Sequence, residues 1–509
     1  MARWGQIFDK KFLVRHLAVW LGAMVVCYVT KGAGVGLLFL PMFYSLLQKR
    51  HDLLLVFLTI FVGFPMSNHV LVPKGAAFNL EVKILWFVLA SLMSVQVFGR
   101  RQSPLATPFI GILVYALYML VPSTFGWCPA ISYLKLLLFV ITFLAFYEIA
   151  NEIILGPRTG VIQIRSAFLA FACYILVGSV LLIPFPSISQ MRIEQFLEAL
   201  QAGRNLTSLY CGMMYHSQAL GPVVAVMFVM VFSDFLFSVR KWNWLYLILL
   251  ACAPILVFKT SSRTAMGTLL AGAFFVTLLF LKTRQVESRW RLRVVFALVA
   301  LCLVGSVGIS VHPKGRAAIA RFVLKVQTAE ELRGVNSEDL LSTRQALIDH
   351  ALYNFRASPV IGNGFQVSDE YAGAKISNFK QLLSAPIEKG VWVTAILEEG
   401  GLLGFTIFVV FAVGCIIKLV LRKAYTGAAV FFTLLVSNLG EFSIFAMSGV
   451  GGYAWAMCFM GIILDAQRLR EQHIIYWAAT PDEGESYEEV SMRMYGEREP
   501  IYVLPSSQR

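Results

Sequence analysis

Residues 401–421 read GLLGFTIFVVFAVGCIIKLVL, an apolar run with a single charged residue, Lys418, and the run is followed directly by Arg422 and Lys423. A helix needs about 20 mostly apolar residues to cross the hydrocarbon core of a bilayer. Basic residues at the end of such a run mark the return of the chain to the lipid headgroups and water. This stretch therefore predicts a transmembrane helix.

The same pattern recurs along the whole chain. Of its 509 residues, 58% are hydrophobic and only 14% are charged, whereas soluble proteins carry about 25% charged residues. This composition excludes an ordinary soluble protein. We predict an all-α polytopic membrane protein with about fourteen transmembrane helices. Their predicted centres are Val25, Leu38, Thr59, Phe87, Ile112, Phe139, Tyr174, Met227, Ile248, Ala273, Val299, Val409, Phe432 and Met460.

The basic residues predict the orientation in the membrane. A formal charge of +14 could suggest nucleic acid, but Lys and Arg fall in small clusters between the apolar runs, so we expect no nucleic-acid binding. We predict that the basic N-terminal stretch is not cleaved and lies in the cytoplasm. The clusters then fall on alternate loops, as expected for the cytoplasmic loops of a membrane protein. We predict a bacterial inner-membrane protein with both termini cytoplasmic. The clusters are Lys10, Lys11 and Arg15; Lys49-Arg50; Arg100-Arg101; Arg158 with Arg165; Arg240-Lys241; Lys282 to Arg293; Arg422-Lys423; and Arg468 with Arg470.

The chain divides into three predicted regions. Residues 1–186 hold N-terminal transmembrane helices, residues 187–466 form a second transmembrane region, and residues 467–509 form a cytoplasmic tail predicted to be disordered. Between the eleventh and twelfth spans, residues 311–394 form a large, mostly helical periplasmic loop. Within it, residues 342–355 have helical spacing and residues 358–365 predict a Pro-Gly turn. Loops of this length are usually functional.

The eight cysteines are scattered singly, without the spacing of a metal site, so we expect no metal. Most lie within apolar runs, where a thiol behaves as a small hydrophobic group. Cys128 and Cys211 map to outward loops. A disulfide between these two residues is one hypothesis.

Arg263, in Ser-Ser-Arg263-Thr-Ala, stands at the outer mouth between two predicted spans. A guanidinium there is costly unless it faces a partner or a wet cavity. A diphosphate suits its planar set of donors. The alternative is that Arg263 reaches outward to lipid headgroups. Lys259 nearby fits either interpretation.

Polar residues also precede the eighth predicted span, at its outer end. Arg204, His216 and Gln218 occur there, and they are candidates for substrate binding. The alternative for His216 is a helix cap or a residue of a helix interface.

Arg344 lies on the predicted loop helix, ahead of the turn that contains Gly362 and Gly364. Glycines permit a tight turn whose backbone N–H groups could face an anion. The alternative is a solvated amphipathic helix that ends in an ordinary turn.

Taken in order, these motifs resemble the O-antigen ligase and polymerase family. The resemblance covers roughly Arg204 to Gly404, and earlier spans match only in being hydrophobic. The matching motifs are Ala-Leu-Gly after His216, Ser262-Arg263, Pro359 to Phe365, and Glu399 to Gly404.

The resemblance implies an integral membrane glycosyltransferase that acts on the periplasmic face by an inverting, metal-independent route without a cofactor. Arg263 and Arg344 would hold the diphosphate and stabilise the charge that develops on it. The implied partners are an undecaprenyl-diphosphate-linked oligosaccharide, a glycan or lipid acceptor, the membrane and a polysaccharide chain-length regulator.

The sequence departs from the family pattern before Glu399. Ligases usually place a His about nine residues earlier, and this chain has Gly390 there. Glu388 is the local substitute and could act as the general base, with Lys389 holding it ionised or contacting phosphate. The alternative is that Glu388 and Lys389 are a solvated pair at a helix start. Glu399 either contacts substrate or, like Glu398, stabilises the positive end of the helix it begins.

These features predict transfer of a lipid-linked glycan on the periplasmic side, by a polymerase in preference to a ligase because the ligase His is missing. The alternative from another class is a lipid-linked glycan flippase or transporter, against which the long outer loop argues. A third possibility is a family member that binds the carrier lipid without catalysis.

Overall fold

The computed structural model describes residues 10–30, 34–50, 67–68, 70–71, 80–95, 97, 102–155, 158–189, 210–214, 217–237, 244–260, 262–283, 339–369, 391–440, 444–445 and 450–479. Helices account for 83% of the described residues, and none of these residues belongs to a strand. One isolated bridge pairs Ser67 with Met214. The predicted all-α class is confirmed.

Helices of 13 residues or more form the body of the protein. They are α1 (Lys10–Val29), α2 (Leu80–Ser94), α3 (Pro129–Leu155), α4 (Arg158–Ala172), α5 (Ser217–Phe237), α6 (Trp244–Lys259), α7 (Arg263–Lys282), α8 (Asp339–Ala357), α9 (Trp392–Leu421), α10 (Tyr425–Ser437) and α11 (Val450–Ala479). Shorter helical segments are Gly34–Leu37, Phe39–Leu47, Thr107–Gly111, Ile112–Tyr118, Leu120–Phe125, Cys173–Val177, Gly178–Leu181 and Pro186–Ser189.

Several helices can cross a membrane. In the described part of the chain, 6 helical stretches are long and apolar enough to do so. Helical structure occupies the predicted span centres, with Leu38 at the junction of two short helices. Thr59 and Val299 lie outside the described residues, so the number fourteen stays a prediction. The six stretches are Thr107–Phe125, Pro129–Leu155, Ile164–Leu181, Ala219–Phe237, Arg263–Lys282 and Trp392–Leu421.

Contacts between helix ends define two ends of the bundle. At one end, Arg422 donates to the carbonyl of Pro104, Arg470 to that of Ile154, and Arg468 to that of Lys423. We call this the basic end. At the opposite end, the Trp392 N–H donates to the Asn438 carbonyl at 3.0 Å and the Trp127 N–H to the Asn363 carbonyl at 3.3 Å. Segments predicted to share a side of the membrane therefore share an end of the bundle.

Aromatic side chains fill the centre between α3, α9 and α11. Trp455 meets Phe143 edge-on with ring centroids 5.2 Å apart, and Phe445 meets Phe139 in the same way at 5.2 Å. Phe408 of α9 lies 5.6 Å from Phe445. Edge-to-face pairs of this kind add to the free energy gained by burying the rings. This cluster fixes α3 against α9, the two helices that contact residues 358–366.

A buried ion pair joins α4 to α5 near the basic end. Arg165 is fully buried, and its Nη2 lies 3.0 Å from Asp234 Oδ1. The Tyr246 hydroxyl of α6 donates to the other carboxylate oxygen at 2.6 Å. Arg165, which entered the prediction as a marker of a cytoplasmic loop, therefore also ties three helices together inside the protein.

Asp465 of α11 makes a second buried cluster. Its carboxylate accepts the N–H groups of Thr426 and Gly427, at 3.1 and 2.8 Å, and so satisfies free donors in the first turn of α10. Arg468 Nη2 lies 3.2 Å from the same carboxylate, and its guanidinium stacks over the Tyr425 ring at 5.0 Å. The start of α10 is thus fixed to α11 by these two hydrogen bonds and by the cation–π contact of Tyr425.

The predicted tail needs correction where it begins. Residues 467–479, expected to open a disordered extension, continue α11 as helix to Ala479. Arg468 and Arg470 are only 3% and 4% exposed, because they point into the bundle. Residues 480–509 lie outside the described part.

The predicted disulfide is wrong, since Cys128 and Cys211 are both free thiols. The Cys211 thiol is buried and donates to the Ser189 carbonyl at 3.1 Å. Burial raises the pKa of this thiol to about 11, so it stays protonated at neutral pH. Cys211 therefore acts as a packing residue.

Candidate functional site

The helix α9 is interrupted at Gly401. This residue has φ 62° and ψ −167°, a conformation that is essentially restricted to glycine. A Cβ atom here would lie 2.3 Å from the carbonyl oxygen of Val360. The two halves of α9, residues 392–400 and 402–421, are therefore separate helical segments that meet at a glycine break.

The predicted Pro-Gly turn, residues 358–365, is docked into this break. Helix ends leave backbone carbonyls and N–H groups without helical partners, and inside a bundle these groups need replacements. The turn supplies them for both halves. The four bonds run from Asn363 N to Glu398 O (3.0 Å), from Gly364 N to Glu399 O (3.0 Å), from Leu402 N to Pro359 O (2.9 Å) and from Leu403 N to Val360 O (3.2 Å).

Two glycines allow the turn to fit. Gly362 and Gly364 have φ values of 83° and 111°, and a Cβ on Gly362 would lie 2.3 Å from the Glu399 carbonyl oxygen. The possibility that the turn amides face an anion is wrong for these residues. The Asn363 and Gly364 N–H groups donate to α9, and the Phe365 N–H donates to Ser132 Oγ at 2.7 Å. The turn is a structural element that closes the break.

Further side chains that the sequence did not single out hold the turn in place. Asn363 Nδ2 donates to the Asn354 carbonyl at 2.8 Å and to the Glu398 carbonyl at 3.2 Å. Lys135, only 5% exposed, donates to the Gln366 carbonyl at 2.9 Å. The Tyr118 hydroxyl lies 3.3 Å from the Ile361 carbonyl of the turn and 2.8 Å from the Gly400 carbonyl of α9. In the sequence, only the position of Asn363 between Gly362 and Gly364 hints at such a role. The sequence does not reveal which groups Asn363 contacts.

The helix predicted within the outer loop is present as α8. It packs against α9, and Asn354 Nδ2 donates to Glu398 Oε1 at 3.0 Å. Arg344 lies on α8, ten residues before Asn354, which is about 15 Å along a helix. Its side chain lies outside the described part, so its role in substrate binding stays a prediction.

A histidine and a carboxylate meet beside this contact. His350 Nε2 lies 2.9 Å from Asp369 Oδ1, and both side chains are partly exposed. Asp369 also accepts from Ser368 Oγ at 2.8 Å and from Asn354 Nδ2 at 3.3 Å. Partial burial alone would raise the pKa of Asp369, but these hydrogen bonds and the interaction with His350 outweigh it, and the pKa lies below its usual value. Asp369 is therefore ionised at neutral pH.

Arg263 is the first residue of α7, at the end of the bundle opposite the basic end. Ser262 caps the helix, and its Oγ accepts the Ala265 N–H at 3.2 Å. Arg263 is half-buried. The N-terminus of a helix carries a partial positive charge, to which the guanidinium adds a full one. This arrangement is suited to an anionic group such as phosphate.

Other helix ends converge on this start of α7. A Cβ on Gly221 of α5 would lie 2.9 Å from the Cβ atoms of both Ser262 and Ala265. A Cβ on Gly440, after α10, would lie 2.1 Å from Thr264 Cγ2. The carbonyl of Asn438 in the same segment accepts the N–H of Trp392, at the start of α9. The starts of α5, α7 and α9 therefore meet with the end of α10.

The remaining candidates are placed as follows. Gln218 lies on the first turn of α5, one turn before the glycine that packs on Ser262. Lys259 is the last residue of α6 and is exposed. Arg204, His216, Glu388 and Lys389 lie outside the described residues, and their roles stay predictions.

Glu399 is fully buried beside the break. We expected Glu398 and Glu399 to begin a span at the positive end of its helix. Instead, α9 starts at Trp392, and both residues lie at the carboxyl end of its first half. The interpretation of these residues as N-terminal helix stabilisers is wrong, because the helix begins two turns earlier.

The sequence model of the O-antigen ligase family matches residues 248–409. No curated protein matches the chain. The matched residues include Arg263, α8, the turn and the glycine break, so the two glycine motifs that dock on each other both lie in the matched part. The resemblance to the O-antigen ligase family is therefore confirmed for residues 248–409 of this chain.

Proposed function

We propose that this protein transfers a glycan from an undecaprenyl-diphosphate-linked donor during the assembly of a surface polysaccharide. The family match over residues 248–409 supports this class of reaction. The apolar helices support a location in a membrane, where such a donor resides. In this proposal the protein lies in the bacterial inner membrane, with the Arg263 end facing the periplasm.

The observation that carries the proposal is the position of Arg263. It begins α7 where three helix starts and the end of α10 converge, and it lies within the family match. Together, a guanidinium and a helix N-terminus provide charge and N–H donors for a diphosphate. Arg344, on the helix that is tied to α9 through Asn354, is the proposed second contact. Arg204, His216, Gln218 and Lys259 are proposed to line the same substrate region.

The proposed reaction is a direct displacement. A hydroxyl of the acceptor attacks the anomeric carbon of the donor, and the carbon–oxygen bond to the diphosphate breaks. The electron pair leaves with the polyprenyl diphosphate, whose negative charge the guanidinium groups stabilise. The displacement inverts the anomeric configuration. Glu388 is one candidate for the group that accepts the hydroxyl proton, with Lys389 beside it.

We favour a polymerase over a ligase because Gly390 stands where ligases have a His. The acceptor in that case is a second lipid-linked glycan, and the product is a longer lipid-linked chain.

The test is glycan transfer by the purified protein in proteoliposomes supplied with an undecaprenyl-diphosphate oligosaccharide. Arg263→Ala is expected to lower the rate by about 10²–10³-fold, the cost of losing one preorganised charge-stabilising group. Lys282→Ala, a cation removed from the other end of the same helix, is the matched control and should retain the rate of the wild type. Chain elongation identifies a polymerase, and glycosylation of an added lipid acceptor identifies a ligase. Movement of the donor across the bilayer without bond formation would overturn the proposal in favour of a flippase.

A further inference from the structure

The imidazole of His350 is oriented by the protein. Because Asp369 is ionised, it can only accept, so the hydrogen between the two residues resides on His350 Nε2. The neutral imidazole then keeps a lone pair on Nδ1. A carboxylate that fixes the tautomer of a His in this way is the arrangement used by general bases in hydrolases of unrelated folds.

The carboxylate is itself held in place. Asp369 follows the turn at residues 358–365, whose backbone is fixed in the break of α9 on both sides. Asn354 Nδ2 joins Asp369 to Glu398, which is 2% exposed, at 3.3 and 3.0 Å. The pair therefore rests on a rigid support, as a catalytic group requires.

The imidazole is also accessible. The His350 side chain is 47% exposed and that of Asp369 is 38% exposed, whereas the Asn354 and Glu398 groups behind them are buried. A polar molecule at this surface can reach His350. Among the described residues, α8 also carries the ionisable residues Asp339, Arg344, Asp349, Tyr353 and Arg356, and the part of α9 that packs on α8 carries Glu398 and Glu399.

We propose that His350, oriented by Asp369, is the general base that accepts the proton of the attacking acceptor hydroxyl. This inference rests on the proposed glycan transfer and names a residue that the family pattern did not indicate. The acceptor oxygen forms its bond to the anomeric carbon as its proton passes to His350 Nδ1. The bond to the diphosphate breaks at the same time, and the leaving group carries away the electron pair. The protonated imidazole stays paired with Asp369 until it releases the proton to water.

The experiment compares transfer rates of the full-length protein in proteoliposomes as a function of pH. His350→Gln should lower kcat by about 10²–10⁴-fold, the usual contribution of a general base. Binding of undecaprenyl diphosphate should be retained, because the donor contacts remain. The pH dependence of the rate should differ between the wild type and His350→Gln, because the substitution removes the group that accepts the proton. Asp369→Asn should lower kcat less than His350→Gln does.

Two controls separate catalysis from folding. Asp349→Asn removes an exposed carboxylate next to His350 that pairs with Gln345 at 2.9 Å, and it should leave the rate unchanged. Added imidazole should restore part of the rate of His350→Ala, which a purely structural role would not allow. Wild-type kcat and an unchanged pH profile in His350→Gln, together with loss of activity in Glu388→Gln, would overturn this inference and leave the proposed transfer standing. Absence of transfer by the wild type would overturn both.

Discussion

Replacement of Gly401 by alanine tests whether the break in α9 holds the turn at residues 358–365 in place. The backbone conformation of Gly401, with φ 62° and ψ −167°, costs a residue that has a side chain about 1–3 kcal/mol. The new Cβ would lie 2.3 Å from the Val360 carbonyl oxygen, so the turn must move away. Loss of the Leu402 and Leu403 hydrogen bonds to the turn adds about 1 kcal/mol each. We expect Gly401→Ala to destabilise the protein by about 3–5 kcal/mol.

The assay is thermal unfolding of the detergent-solubilised protein, followed with a dye that reacts with cysteines as the buried thiols become exposed. Gly414→Ala is the matched control, because it lies in the same helix and its Cβ would meet nothing within 4 Å. In a helix interior, alanine is favoured over glycine by up to about 1 kcal/mol, so this variant should be as stable as the wild type or slightly more stable. The reasoning is refuted if the Tm of Gly401→Ala lies within about 1 °C of the control, since even 1 kcal/mol shifts Tm by degrees in smaller domains.

Three further predictions use the same unfolding assay. Arg165→Met leaves the Asp234 carboxylate buried without its ion-pair partner and should lower the free energy of unfolding by about 3–5 kcal/mol. The double variant Arg165→Met/Asp234→Asn should recover part of this loss, and equal stability of the single and double variants would contradict the prediction. Asn363→Ala removes two hydrogen bonds to buried carbonyls and should cost about 1–3 kcal/mol, whereas an unchanged Tm would mean that the glycines alone hold the turn. Asp465→Ala removes the cap of α10 and the partner of Arg468 and should lower Tm as much as Arg165→Met, and a loss no larger than that of an exposed carboxylate would contradict it.

Within the described part of the chain, six of the predicted spans coincide with helices that are long and apolar enough to cross a membrane. An apolar run such as residues 402–421 can be stable only in lipid or in a core, and its length decides between the two. The alternation of basic clusters also agrees with the contacts of Arg422, Arg468 and Arg470 at the basic end. The turn at residues 358–365 and the helix before it were predicted from local spacing alone.

The partners of these elements could not be predicted. Glu399 to Gly404 looks like a helix start, because neither the positive φ of Gly401 nor the turn that fills the break is visible in local spacing. The sequence is compatible with two positions of Arg468. Its guanidinium could face the lipid headgroups on the cytoplasmic side, or it could face Asp465 inside the bundle, as the structure shows. The pairing of His350 with Asp369 depends on the docked turn, which brings residues 19 positions apart into contact.

The break in α9 also acts as a depth marker. Residues 402–421 rise about 30 Å along the helix axis, which matches the thickness of the hydrocarbon core. With Arg422 and Lys423 in one headgroup layer, Gly401 reaches the boundary of the other. The helix α7 has 20 residues and therefore the same length as residues 402–421. With Lys282 in the first headgroup layer, Arg263 also reaches the opposite boundary of the hydrocarbon core. In a bilayer placed this way, Arg263 and the docked turn would lie at the level of the lipid phosphates. The proposed lipid-linked diphosphate could meet them there while its polyprenyl chain stays in the bilayer.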